Sequence, residues 1–69
     1  MSSPKQWDKM VKDDTERIFL ALSHRKGETF KKSDIRATFQ LAFVKSYDVF
    51  DRLGDKGFII ERGYITVPL

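Results

Sequence analysis

Apolar positions fall into four stretches with different spacing. Trp7, Val11, Ile18 and Leu22 recur at helical intervals, with Phe19 and Ala21 alongside, which makes an amphipathic stripe. Upstream, "SSPKQ" has the form of a helix start: Ser3 can cap, Pro4 suits the first helical position, and Gln6 stands where a capping box needs it. "DDTE" at 13–16 offers a second start. The stripe ends at "SHRKG", where cations suit the negative end of the helix dipole and Gly27 can take the left-handed terminating conformation. The pattern predicts a first helix over residues 5–25.

"GETFKK" carries a turn glycine and one apolar residue, Phe30, so it predicts a brief extended segment that drops Phe30 into a core. Ser33 then precedes "DIRATF", a cap followed by a first-turn acid and by Ile35 and Phe39 four apart, which predicts a short second helix. After a linker, "QLA", a third helix is expected over 41–56. At about 100° per residue it gathers Phe43, Tyr47, Phe50, Leu53 and Gly54 on one side, with Val49 at the margin. Val44, Lys45, Asp48, Asp51, Arg52 and Asp55 take the other side. The first set is expected to be buried and the second exposed. Gly57 ends that helix; "FIIE" and "YITV" then read as two strands of a hairpin turning on Arg62 and Gly63.

At 69 residues with 41% apolar and 33% charged side chains, the chain has room for one domain, 1–69, near the lower limit for a single unstapled core. It contains no cysteine, which excludes disulfides and thiolate metal sites and favours a reducing compartment. No apolar run is long enough to span a bilayer, and the N-terminus lacks the apolar core of a secretory signal. A soluble, cytoplasmic protein is expected. The net charge is +3, and all of it falls in residues 1–39. Arg25, Lys26, Lys31, Lys32 and Arg36 lie within twelve residues and face only Glu28 and Asp34, so an acidic partner is expected to meet that segment.

The order helix, short strand, helix, tight connection, helix, hairpin resembles the winged helix-turn-helix family of DNA-binding domains over residues 14–69, with 1–13 as an extension of the first helix. "RIFLAL" is similar to the second half of the family's first helix, and "GETFKKSDI" to the strand and polar cap before its second. "VFDRLGDKGFI" resembles the recurring end of its third helix, and "ERGYITV" would be a short wing. The implied fold class is α+β, mainly α with a small antiparallel hairpin. The implied function is duplex DNA binding by a transcriptional regulator or accessory replication factor. By this resemblance, Lys31, Lys32, the amides after Ser33, and Arg36 would contact phosphates. Gln40, Lys45, Asp48 and Arg52 would face the groove, and Arg62 would sit at the wing tip.

Asp48, Asp51 and Asp55 run along the third helix, and acids near a phosphate backbone are costly, although one can accept from a cytosine amino group. Two arrangements answer this: a homodimer through the first helix that binds two half-sites, or a winged-helix protein-interaction module docking a protein partner without high-affinity DNA binding. Asp48, Asp51 and Asp55, spaced three and four apart, otherwise read as a solvated face rather than an acid-base or metal cluster. Trp7 reads as a cover over one end of the core or as a partner anchor. His24, the one histidine, reads as a partner of the helix dipole, because companion metal ligands are missing. Phe30, Tyr47, Phe58 and Tyr64 offer a stacking reading for single strands, though in such a fold most would point inward. No nucleophile–base pair or glycine-rich phosphate loop appears, so neither catalysis nor a cofactor is expected.

Overall fold

The computed structural model describes residues 4–69. Three helices, α1 (Pro4–Leu22), α2 (Lys32–Phe39) and α3 (Phe43–Asp55), combine with three short strands, β1 (Thr29–Lys31), β2 (Ile59–Glu61) and β3 (Tyr64–Thr66). The strands form one antiparallel sheet in the order β1-β3-β2, which makes this an α+β fold. Helix α1 begins where the sequence indicates, while Ser3 lies outside the described residues. It stops at Leu22, three residues earlier than expected. His24, Arg25 and Lys26 are therefore exposed side chains of the following turn, not of the last helical turn. Gly27 does adopt a left-handed φ of 81°, and its N–H donates to the Val67 carbonyl. The chain thus leaves α1 through a turn that the C-terminal segment holds in place.

The inward row of the sheet is Phe30, Ile65 and Ile60, which are directly opposite one another across the three strands. Ile65 at its centre is fully buried, while Phe30 and Ile60 are partly buried and pack against the core. Val11, Ile18 and Leu22 of α1, Ile35 of α2, and Val49, Phe50 and Leu53 of α3 complete the core, joined by Phe58 and Val67 from the flanks of the hairpin. Leu41 is buried too, so the segment read as a linker supplies a core residue. Thr15 and Ser46 are buried polar residues whose hydroxyls donate to the Val11 carbonyl at 2.7 Å and the Phe43 carbonyl at 2.6 Å. Each satisfies its donor within its own helix, so neither leaves a polar group stranded.

Helix α2 starts earlier than its polar residues suggest. Lys31, with extended backbone, occupies the capping position, and Ser33 sits inside the first turn without capping. The reason is tertiary: the Lys32 N–H donates to the Gly63 carbonyl at 2.9 Å, so the hairpin turn takes over the task of a side-chain cap. In that turn Arg62 keeps a negative φ and Gly63 takes +81°, the sign pattern of a type II turn, in which the second position suits glycine.

The α2–α3 connection turns on Gln40, a non-glycine residue at φ 54° and ψ 47°. The next amide, Leu41 N–H, reaches back to the Arg36 carbonyl at 2.9 Å. A side chain in the left-handed region costs about 1 kcal/mol, partly offset in a Gln40→Gly variant by the added freedom of the unfolded chain. That variant is expected to be more stable by roughly 0.5 kcal/mol, read as a rise in midpoint in urea.

Candidate nucleic-acid interface

Helix α3 is turned about its axis relative to the sequence expectation. Its buried residues are Ser46, Val49, Phe50 and Leu53, whereas Phe43 and Tyr47 are 57% and 61% exposed. Gly54 belongs to the same stripe as Phe43 and Tyr47, and a Cβ there would come within 3.2 Å of Ile60 Cγ1. The stripe is therefore covered by β2 at its C-terminal end and open at its N-terminal end. Strands of three residues are too short to cover the whole helix.

On the opposite flank of α3, Val44, Asp48, Asp51 and Asp55 are exposed as expected, whereas Lys45 is largely covered, Arg52 is half-buried, and Lys45, Asp48 and Arg52 all have partners on α1. Lys45 Nζ lies 2.8 Å from Asp14 Oδ2, and the two side chains are only 15% and 17% exposed. Trp7 Nε1–H donates to Asp48 Oδ2 at 2.8 Å, and Arg52 is paired with Asp8. Lys56 adds a looser contact with Glu16 at 3.8 Å. These residues bind α3 to α1. Trp7 thus spends its polar edge on a helix–helix contact and lies outside the core cluster.

The Lys45–Asp14 pair is largely covered, and Asp14 also accepts from Arg17 at 3.2 Å, so a Lys45→Ala variant leaves the carboxylate one partner and is expected to cost about 1 kcal/mol. Chemical denaturation checks this. The same variant should leave the salt dependence of any DNA binding unchanged, which separates a structural lysine from a phosphate contact.

On the open side, Lys32, Ser33, Arg36, Phe43, Tyr47, Arg62 and Gly63 line one surface concavity. Three elements converge there. Strand pairing places Lys31 opposite Tyr64, and the Lys32 N–H to Gly63 bond ties the hairpin turn to the start of α2. Arg62 is thereby held near the first turn of α2. Arg36, one turn further along α2, stacks its guanidinium over Phe43 at 4.5 Å from the ring centroid, and Phe43 meets Tyr47 edge-on at 5.4 Å. Lys32 extends towards the Phe50 ring, its Nζ 5.7 Å from the centroid.

Of the nine residues singled out in the sequence, the structure brings four together here: Lys32, Ser33, Arg36 and Arg62. Lys31 is adjacent, exposed at the end of β1, and Gln40 is exposed in the α2–α3 turn. Lys45, Asp48 and Arg52 are held against α1 instead. In the sequence Phe43 does not stand out and Tyr47 does so only as a stacking candidate for single strands, because a helical wheel assigns both to the core. The readable signal was the apolar set Phe43, Val44 and Tyr47 in one turn, wider than the buried stripe of a helix packed on so small a sheet.

A basic concavity with a helix N-terminus at its edge attracts an anion through both side-chain charge and first-turn amides. Among the described residues, no group of three or more His, Asp or Glu side chains is placed to hold a metal ion. No described helix is long and apolar enough to cross a membrane. Of the other aromatic side chains, Phe58 is buried and Phe30 partly so, while Tyr64 is exposed on the outer face of the sheet. Comparison with known protein families, curated proteins and solved structures finds no match.

Proposed function

We propose that the chain is a winged helix-turn-helix protein that binds duplex DNA as a transcriptional regulator or accessory replication factor. The observation that carries the reading is the convergence of Lys32, Arg36 and Arg62 with the start of α2 on one concavity beside the exposed N-terminal turn of α3. The order of helices and strands and the β1-β3-β2 sheet support the family resemblance. In this arrangement α3 enters the major groove. The α2 start and the hairpin turn, acting as the wing, hold phosphates on either side. Dimerisation through α1, where Met10 and Leu20 are exposed, would let two modest half-site contacts add.

The test is a titration with duplex DNA at several salt concentrations, followed by residue-level chemical shifts. Changes should concentrate at Lys31–Arg36, Phe43, Tyr47 and Arg62, with affinity falling steeply as salt rises. Absence of any change at low salt would sink the reading.

A second reading is favoured by a specific observation. Asp51 and Asp55 are exposed on α3 beside Val44, while the neighbouring cations Lys45 and Arg52 are already paired. That face suits docking of a basic protein partner. A pull-down with Asp48, Asp51 and Asp55 changed to Ser discriminates: undiminished capture counts against this face.

A further inference from the structure

The ion pairs between α1 and α3 leave α3 with an unusual surface for reading bases. Its long polar side chains, Lys45 and Arg52, are engaged with Asp14 and Asp8, and the Asp48 carboxylate accepts from Trp7. What its N-terminal turn presents outward is apolar: Phe43, Val44 and Tyr47 are 57%, 68% and 61% exposed. Such a patch on so small a protein calls for an occupant. Its surroundings narrow the choice, since Arg36 lies over Phe43, and Lys32 and Arg62 complete the rim. A cationic rim about an apolar centre fits a polyanion that carries apolar groups between its charges.

We propose that this turn of α3 recognises the C5-methyl groups of thymine in the major groove, so that the preferred ligand is A·T-rich duplex DNA. The inference rests on the duplex-DNA reading above and adds the base preference. In the major groove, thymine is the base that offers a methyl group, and an apolar side chain is what contacts it favourably. Guanine is read by a bidentate arginine or lysine, and on α3 both such residues are tied to α1. Asp51, one turn beyond Tyr47, can only accept, and so suits the amino group of adenine or cytosine rather than the acceptor edge of guanine.

The test compares four short duplexes of equal length in a competition anisotropy assay. One contains only A·T pairs, and a second is the same with every thymine replaced by deoxyuridine, which removes methyls and leaves phosphates and base-pairing edges intact. The third contains only G·C pairs, and the fourth is the same with 5-methylcytosine. The deoxyuridine duplex should bind more weakly by about fourfold for each methyl in contact, and methylation should improve binding of the G·C duplex. A Val44→Ser, Tyr47→Ser double variant, altered only at exposed positions, should narrow the difference between the thymine and deoxyuridine duplexes to what Phe43 alone supplies, with an unchanged salt slope. Equal affinity of the unaltered protein for both, with steep salt dependence, overturns the inference and leaves duplex binding standing. No binding to any of the four overturns both, and leaves the patch to a protein partner.

Discussion

Replacing Lys32, Arg36 and Arg62 together by alanine is expected to weaken duplex binding on the order of a hundredfold at low salt, taking about 1 kcal/mol for each exposed charge-assisted contact. The salt dependence gives a sharper measure than the affinity. Each lost phosphate contact lowers the slope of log affinity against log salt by roughly 0.9, so the triple variant should lose nearly three units. A charge-matched control changes Lys5, Lys9 and Lys12, which lie on the exposed first turns of α1 away from the concavity. Both triples remove the same net charge. A contribution from overall charge would lower binding equally in both; a localised site predicts a much larger effect from Lys32, Arg36 and Arg62. Equal losses would exclude the concavity as the binding site. Arg36 also stacks on Phe43 and Lys32 approaches Phe50, so a small loss of stability, about 0.5–1 kcal/mol for each cation–π contact, should accompany the change. Binding is therefore to be compared well below the thermal midpoint.

The elements of this fold were largely legible because each rests on local chemistry. Gly57 at φ 106° closes α3, and the two-residue turn at Arg62 and Gly63 fixes the hairpin register, with Glu61 opposite Tyr64. What is not legible is how α3 is rotated and which of its polar side chains find partners on α1. Periodicity reports that a helix has two faces, but not which neighbour covers each one. Lys45, Asp48 and Arg52 are polar and so read as solvent-facing. Their partners Asp14, Trp7 and Asp8 are more than thirty residues away in the chain, and only the packing of α1 across α3 reveals the pairing. Ser46 reads as polar yet is buried, because its hydroxyl is satisfied by its own helix. The start of α2 is set by a contact from far along the chain. Ser33 looks like a cap, but the Gly63 carbonyl from a distant turn meets the Lys32 amide first. Except for Ser46, each of these polar groups finds its partner only through the tertiary fold.

The cation cluster shows the opposite case. Lys32 and Arg36 stand out by local density of charge and a helix start, and those two features survive folding because they are set by neighbours in sequence. Arg62 joins them through the hairpin, whose inward row also anchors the core. That coupling makes the sheet centre sensitive for both the core and the basic concavity. Ile65 is 0% exposed and sits between Phe30 and Ile60 in the middle strand. Truncating it removes three carbons from a site walled by backbone on both sides, where collapse is difficult. An Ile65→Ala variant is expected to lose about 2–5 kcal/mol. A domain of this size has on the order of 3–10 kcal/mol in total, so the variant should be partly or wholly unfolded at room temperature in circular dichroism. Ile65→Val, expected to cost about 0.5–1.5 kcal/mol, should stay folded and keep its DNA affinity, because it leaves the β1–β3 and β2–β3 pairings that position Lys32 and Arg62. If Ile65→Ala instead melts within a few degrees of the unaltered protein, the sheet is not the cooperative centre of the fold. Core packing would then not be what sets the geometry of the basic site.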